Sequence, residues 1–184
     1  MRLFVAAELP QGMVEALSET LAELRECVHG RAVGTDQFHV TLAFLGEVPT
    51  TRVDEVAAIV DAACAGRRPI SATLGPLGSF GRDASATLWE GLAGTQVGAL
   101  AELADDLRGR LRDAGLPTDP KGFLAHVTLM RRADLPRAAR EHGGLPMPTV
   151  AHETIDTVTL FRSELYRDRA PVYTPLHEAR LAEP

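Results

Sequence analysis

The sequence predicts an α+β fold built as two lobes that arose by internal duplication. The tetrapeptide HVTL occurs twice, from His39 in "FHVTLAFLG" and from His126 in "LAHVTLMR". Each copy follows a long amphipathic helix, and each half of the chain begins with an apolar strand. A shared order of elements at a fixed offset is typical of a repeat. We therefore expect one domain over 1–184, with lobe-forming repeats at approximately 1–82 and 83–184.

The first half alternates strands and helices. Apolar residues at spacings of three and four indicate amphipathic helices, and Pro and Gly mark the ends of elements. Thr51 with Asp54 resembles a capping box before the second helix. The predicted elements are a strand over 2–9, a helix from Pro10 with Val14, Leu17, Leu21, Leu24 and Val28 buried, a strand over 38–48, a helix with Val53, Val56, Ala57 and Val60 buried, and a strand and loop over 70–81.

The second half repeats the strand, the helix and the HVTL strand before closing with two more strands. The segment 133–148 is polar and interrupted by Pro and Gly, so we expect a short helix at most, in a mobile segment. The predicted elements are a strand over 86–92, a helix with Val97, Leu100, Leu103, Leu107 and Leu111 buried that ends near Gly115 and Pro117, and strands over 123–131, 154–165 and 172–181.

Composition and charge restrict the classes of function. With 45% hydrophobic and 24% charged residues, the chain is predicted to be globular throughout. A net charge of -6 disfavours a broad nucleic-acid-coating surface but allows a local phosphate pocket. No apolar run is long enough to span a membrane, and the start lacks a signal-peptide pattern. Cys27 and Cys64 are expected as buried thiols of a cytoplasmic protein, which we expect to be a monomer.

Each HVTL strand is predicted to present a histidine and a threonine on the same face. Residues i and i+2 of a strand point the same way, so His39 projects with Thr41, and His126 with Thr128. If the lobes face each other, one imidazole can accept a proton while the other donates one. The threonine hydroxyls can donate to phosphoryl oxygens. Arg131, at the exit of the second strand, can add a bidentate phosphate contact.

Other sites are less well supported by the sequence. The histidines lack the spacing of a zinc site, and neither cysteine has ligand spacing. The GxSxG turn of serine hydrolases and the Gly-rich phosphate loops do not occur. The sequence therefore predicts no metal and no cofactor. The plain alternative is two unrelated strand histidines, but the repetition of the full tetrapeptide after a long helix argues against it.

These motifs resemble the 2H phosphoesterase superfamily, which is named for two HxTx motifs. The flanking strings "RLFVAAELP", "LGPLGSFG", "ATLWEGL" and "TLFRSELYRDRAPVYTPL" are similar to the RNA 2′,3′-cyclic phosphodiesterases, also called 2′-5′ RNA ligases. The resemblance implies two pseudo-symmetric lobes, each an antiparallel sheet with helices outside, around a central groove. It also implies metal-free hydrolysis of a terminal 2′,3′-cyclic phosphate to a 2′-phosphate, with 2′-5′ ligation as the reverse.

The resemblance also implies roles for the site residues. His39 would be the proton donor to the leaving oxygen and His126 the proton acceptor from water, although the sequence alone leaves the two roles interchangeable. Thr41, Thr128 and Arg131 would bind the substrate phosphate. The segment 132–148 is shorter and richer in Gly and Pro than in relatives, so the preferred length of RNA stays open.

The sequence allows two roles for several other residues. Phe44 and Phe123 could stack a terminal base or belong to the core. Arg162, Arg167 and Arg169 could form a basic rim or a solvated ion-pair face. The remaining histidine candidates lack a partner threonine and are expected at the surface: His142, His152 and His177.

Two alternative functions use the same groove. The substrate could be a small cyclic nucleotide or an ADP-ribose cyclic phosphate instead of RNA, which suits the acidic net charge. Alternatively, the protein could be a non-catalytic module that binds RNA ends, although such a module need not keep two proton-transfer groups.

Overall fold

The computed structural model describes residues 1–182, which fold into two antiparallel sheets with helices packed against them. The strands are β1 (Arg2–Glu8), β2 (Arg31–Ala32), β3 (His39–Glu47), β4 (Ile70–Phe80), β5 (Ala86–Ala93), β6 (His126–Ala133), β7 (His152–Ile155), β8 (Thr157–Glu164) and β9 (Val172–Arg180). The helices are α1 (Gln11–Cys27), α2 (Val53–Cys64), α3 (Val97–Asp113) and α4 (Leu135–His142). The predicted α+β class is confirmed.

The two sheets share a pattern of pairing but not a simple division of the chain. The first sheet has the order β3-β1-β8-β9 and the second the order β2-β6-β5-β4-β7. Each HVTL strand pairs with the first strand of its half, so that Thr41 faces Ala6 and Thr128 faces Trp89. However, β8 and β9 come from the second half and join the first sheet. The expected boundary at 82/83 therefore does not coincide with the division between the two sheets.

The long helices bury the faces that their periodicity predicts. In α1 the buried set includes Met13, Ala16, Leu17, Leu21 and Leu24. In α3 it is Leu100, Leu103, Ala104, Leu107 and Leu111. Gly115 ends α3 in the left-handed region at φ 67°, and the Leu116 amide donates to the Leu111 carbonyl at 2.9 Å. This pairing is the usual way to satisfy the last carbonyls of a helix.

Some predicted boundaries differ from the structure. The capping box at Thr51 does not form, because a short 3-10 turn over Thr50–Arg52 precedes α2 and no side chain caps it. The strand predicted over 154–165 is divided at Asp156, so that β7 joins the second sheet and β8 the first. The strand predicted from 123 begins at His126. Cys64 is buried as expected, whereas Cys27 is partly exposed.

Segment 133–148 contains the short helix that we expected. The carboxylate of Asp134 caps α4 by accepting from the Arg137 amide at 3.0 Å, and Gly143 ends the helix at φ 79°. Helical stretches that are long and apolar enough to cross a membrane are not found within residues 1–182.

The outer edge of β3 is fixed by the segment that leads to the second HVTL strand. The guanidinium of Arg108 on α3 donates from Nε to the Leu42 carbonyl at 2.8 Å. The Asp119 amide donates to the Phe44 carbonyl at 3.0 Å. These donors satisfy carbonyl groups that an edge strand otherwise leaves to water. Strand β3, which carries His39, is therefore hydrogen-bonded directly to α3 and to the segment that follows it.

Glu90 is a charged residue in the core of the second sheet. It is fully buried on β5, on the face opposite the groove, and neither carboxylate oxygen has a hydrogen-bond partner within residues 1–182. Burial raises the pKa of this carboxyl to about 7. The protonated carboxyl is therefore favoured in the folded protein at pH values below about 7.

We predict that Glu90→Gln stabilises the protein increasingly as pH rises. Because the pKa is raised on folding, the wild-type loses stability between the unfolded pKa and about 7. The gain should reach about 3 kcal/mol at pH 8, since each pKa unit corresponds to about 1.4 kcal/mol. Urea denaturation at pH 5 and pH 8 measures it, with the exposed α1 variant Glu26→Gln as the control. An equal gain at both pH values would contradict the prediction.

Candidate active site

All five residues singled out by the HVTL strands line one groove between the two sheets. The groove has a cavity volume of about 430 Å³. His39 and Thr41 enter it from the first sheet, and His126, Thr128 and Arg131 enter it from the second. Pockets of roughly 300–1,000 Å³ are usual for small ligands, so the space suits a nucleotide.

Both imidazoles are oriented by the same local hydrogen bond. Nδ1 of His39 lies 2.7 Å from the carbonyl oxygen of Gln37, and Nδ1 of His126 lies 2.7 Å from that of Leu124. A carbonyl can only accept, so Nδ1 carries the proton and donates in both rings. In the neutral form, Nε2 then has a free lone pair. In both cases the acceptor is the carbonyl of the residue two positions before the histidine, and this bond fixes the tautomer of both rings.

Thr41 contacts the reactive nitrogen of His39 directly. Its Oγ1 lies 3.1 Å from His39 Nε2. With a neutral imidazole, the hydroxyl donates to Nε2; with an imidazolium, the ring donates to the hydroxyl. Because a hydroxyl can do either, Thr41 is compatible with both protonation states of His39.

Aromatic rings enclose His39. Phe4 lies 5.0 Å from the imidazole, and Tyr173 meets it edge-on at 5.6 Å, in both cases between ring centroids. Phe4 also contacts Tyr173 at 4.9 Å and stacks on Phe161 at 5.2 Å. These rings remove water from one side of His39 and restrict its rotation.

His126 has different aromatic neighbours and is more open. Phe80 meets its ring edge-on at 5.0 Å, and Trp89 lies 5.7 Å away, again between centroids. Phe80 is 42% exposed. Trp89 lies flat over Gly78 of the neighbouring strand, where a Cβ would approach the indole to 2.2 Å. The two halves of the site therefore share their hydrogen bonds but not their aromatic surroundings.

Burial lowers the pKa of both histidines. The pKa of His39 falls to about 4, mainly by burial, with the positive charge of Arg131 and the nearby His126 adding to the effect. The pKa of His126 is also lowered, by burial first and then by Arg131. In the free groove both rings are therefore neutral near pH 7. An anion between them would reverse the effect of Arg131 and raise both pKa values.

Three arginines line the groove without a carboxylate partner. Arg31 on β2 lies opposite Arg131 on β6, and Arg2 on β1 lies over the Phe44 ring with 4.6 Å from Cζ to the ring centroid. Within residues 1–182, no ion pair involves any of these three. Like charges on adjacent strands are unfavourable unless an anion joins them. The groove is therefore a local positive region in an acidic protein.

The remaining candidates separate into groove, core and surface residues. Phe44 lines the groove, whereas Phe123 packs against the core, with Arg108 5.8 Å from its ring centroid. Arg162 pairs with Glu164 at 2.8 Å, as the ion-pair interpretation expects. Other positions lie at or near the surface: Arg167 is exposed, Arg169 covers the Tyr166 ring, His142 is exposed, His152 bonds Ser71 and Thr73, and His177 pairs with Asp61.

Residues 1–182 contain no group of three or more His, Cys, Asp or Glu side chains placed to hold a metal ion. The groove itself offers two imidazoles and two threonine hydroxyls together with guanidinium groups. Imidazole nitrogens can accept and donate protons, and guanidinium groups can bind an anion, so the lining suits acid–base chemistry on an anionic ligand.

The chain belongs to the 2′-5′ RNA ligase superfamily, whose sequence pattern matches residues 4–167. The family resemblance inferred from the two motifs is therefore confirmed. The chain is 31% identical to an RNA 2′,3′-cyclic phosphodiesterase of Thermus thermophilus, covering 98% of this chain and 90% of that protein. It is 30% identical to the protein of the same name from Escherichia coli, covering 99% and 97%.

Solved structures agree with this assignment. The structure of Escherichia coli LigT complexed with 3′-AMP superposes with a TM-score of 0.78 at 28% identity, covering 99% of this chain and 98% of that one. TT0787 of Thermus thermophilus gives a TM-score of 0.78 at 26% identity, covering 100% and 99%.

Most of the residues that surround the two histidines and the threonines in the groove were not identified from the sequence. Arg2 and Phe4 alternate along β1 on the same face, and that period alone could have placed them beside the motif strand. In contrast, Arg31, Phe80, Trp89 and Tyr173 reach the imidazoles or the groove through pairings that no local pattern reveals.

We predict that His39 and His126 both carry the proton on Nδ1 when neutral in the free protein, and that His39 titrates near pH 4. Inorganic phosphate should raise the pKa of both rings, because its negative charge stabilises the imidazolium form. Imidazole ¹⁵N chemical shifts measure the tautomer and the pKa, and the exposed His142 serves as the control. Protonation of Nε2 in either neutral ring would contradict the inferred orientation.

Proposed function

We propose that the protein is an RNA 2′,3′-cyclic phosphodiesterase, which hydrolyses a terminal 2′,3′-cyclic phosphate to a 2′-phosphate. The observation that carries the proposal is the matched pair of Nδ1–carbonyl bonds, which leaves Nε2 of each neutral ring without a proton, in two side chains that line one groove. The names of the bacterial relatives support the same substrate. Since both histidines belong to one chain, a monomer is sufficient for the reaction.

The proposed reaction includes two proton transfers, one from water to His126 and one from His39 to the leaving oxygen. His126 Nε2 accepts a proton from water while the water oxygen attacks phosphorus. The bond from phosphorus to O3′ breaks, and His39 donates its Nε2 proton to O3′, leaving the phosphate on O2′. Thr41, Thr128 and Arg131 bind the non-bridging oxygens as negative charge increases. If a ribose 5′-hydroxyl replaces water, the same transfers form a 2′-5′ linkage.

The assignment of His39 as the acid requires that the substrate raise its pKa. In the free groove His39 is the ring whose pKa falls to about 4, so it is largely neutral near pH 7. A phosphodiester anion adjacent to Nε2 favours the imidazolium form and opposes the effect of Arg131. In this proposal, His39 takes up a proton from solvent when the anionic substrate binds, and the resulting imidazolium is the general acid.

A smaller substrate is the second candidate. A cavity of about 430 Å³ accommodates a single nucleotide without a longer chain. A small cyclic nucleotide could therefore undergo the same proton transfers, and a comparison of RNA with mononucleotide substrates separates the two classes.

We predict that His39→Gln and His126→Gln each reduce kcat for an RNA ending in a 2′,3′-cyclic phosphate. The expected loss is about 10²–10⁴-fold for each, because each change removes one proton-transfer group. Chromatographic analysis of the 2′-phosphate product, with a chelator present, measures the rate. His142→Gln, on exposed α4, is the matched control and should retain the wild-type rate. A near-wild-type rate in either groove variant would refute the two-histidine mechanism.

We also predict a bell-shaped profile of kcat/KM against pH with its maximum below pH 6.5. The profile reports the free enzyme, in which one ring must be protonated and the other neutral. Both pKa values lie below 6.5, that of His39 at about 4, so the required form is most abundant between them. Initial rates at subsaturating substrate from pH 4 to pH 9 measure it. A maximum above pH 7 would be inconsistent with these lowered pKa values.

A further inference from the structure

Arg2 is a cation in the groove that the proposed reaction does not use. It lines the cavity, and its guanidinium rests on the Phe44 ring, with Cζ 4.6 Å from the centroid. Its Nε is buried without a hydrogen-bond partner in the described part of the chain. Glu47, which lies opposite it on β3, pairs instead with the N-terminal ammonium at 3.2 Å. Residues 1–182 position this guanidinium but supply no hydrogen-bond acceptor for it.

Arg2 acts on a different part of the groove from Arg131. The charge of Arg131 affects the pKa of His39, His126 and Tyr173, whereas that of Arg2 affects Tyr173 but neither histidine. Along the β1–β3 pair, His39 faces Glu8 whereas Arg2 faces Glu47, so the two residues lie at opposite ends of these strands. Arg2 therefore enters the groove from the end of β1 that is remote from the strand position of His39.

Aromatic rings lie between His39 and Arg2. From His39 the contacts lead to Phe4, which is opposite Phe44 on the neighbouring strand, and Arg2 covers Phe44. Tyr173 contacts both His39 and Phe4. Such a surface suits a ribose and base lying between two phosphates, because rings stack on bases while guanidinium groups bind phosphate oxygens.

A nucleoside 2′,3′-cyclic monophosphate has only one negative charge, which the Arg131 side of the groove can bind. Because the cyclic phosphate ends the chain, the next phosphate belongs to the 5′ oxygen of the same nucleoside. We propose that Arg2 binds this 5′ phosphate, so that the groove recognises a nucleotide with phosphate on both sides of its ribose. This inference rests on the proposed function, since it assumes that the cyclic phosphate lies between the histidines.

Binding of product analogues tests the inference without turnover. Calorimetry should show that adenosine 2′,5′-bisphosphate binds about 10–100-fold more tightly than adenosine 2′-monophosphate, as one added charge-assisted contact predicts. Arg2→Gln should abolish this preference while leaving the affinity for the monophosphate within about threefold, which also verifies folding. Equal affinities in the wild-type protein would overturn the proposal, whether or not the protein hydrolyses any cyclic phosphate.

Two further variants test which arginine causes the preference for the bisphosphate. Arg25→Gln, on the exposed face of α1, makes the same change in net charge and should keep the preference for the bisphosphate. Arg31→Gln removes the arginine opposite Arg131 and should weaken both ligands equally. If Arg31→Gln alone abolishes the preference, the 5′ phosphate lies at β2 and the assignment to Arg2 is wrong.

A last comparison distinguishes the source of the 5′ phosphate. The dinucleotide ApA with a terminal 2′-phosphate carries a phosphodiester at the position of the 5′-monoester. If the dinucleotide shows the same Arg2-dependent preference over adenosine 2′-monophosphate, the subsite accepts an RNA chain. If only the bisphosphate shows it, the subsite is specific for a free 5′-nucleotide, and the proposed RNA substrate loses its support.

Discussion

The site depends on one hydrogen bond made twice, from imidazole Nδ1 to the carbonyl two residues earlier. It lies at the first residue of each motif strand, where the chain enters from a loop and the carbonyl is not occupied by sheet pairing. Without it, a histidine on a strand can rotate and exchange tautomers. With it, the basic nitrogen of each ring is held on a rigid element and exposed to the groove.

The two halves of the site share a motif strand, and they differ in the surroundings of its histidine. The hydrogen bonds and the neighbouring threonines follow from the repeated strand. The surroundings do not: Phe4 and Tyr173 enclose His39, while the more exposed Phe80 and Trp89 border His126. Burial is the largest cause that lowers the pKa of each ring, and it acts on two chemically identical side chains through different neighbours.

The parts of the structure that local sequence encodes were predictable. Periodicity predicted α1 and α3, and the HxT spacing predicted which side chains share a face of β3 and β6. The division of 154–165 into β7 and β8 at Asp156 was not predictable, because both pieces have the same strand-like composition and only tertiary pairing separates them. Similarly, Tyr173 lies 134 positions from His39 in the sequence, and only the packing of β9 in the first sheet brings the two together. The capping box failed because a 3-10 turn satisfied the start of α2 instead.

The exchange of strands between the halves has a consequence for synthesis of the protein. β1, the central partner of the first histidine strand, pairs on its other side with β8, which the ribosome makes last but one. A nascent chain can assemble most of the second sheet early, yet the sheet that carries His39 must wait for the C-terminal strands. Pairing at such long sequence separation slows folding. An incomplete chain that has formed the second sheet would therefore hold His126 in place before the sheet that carries His39 is complete.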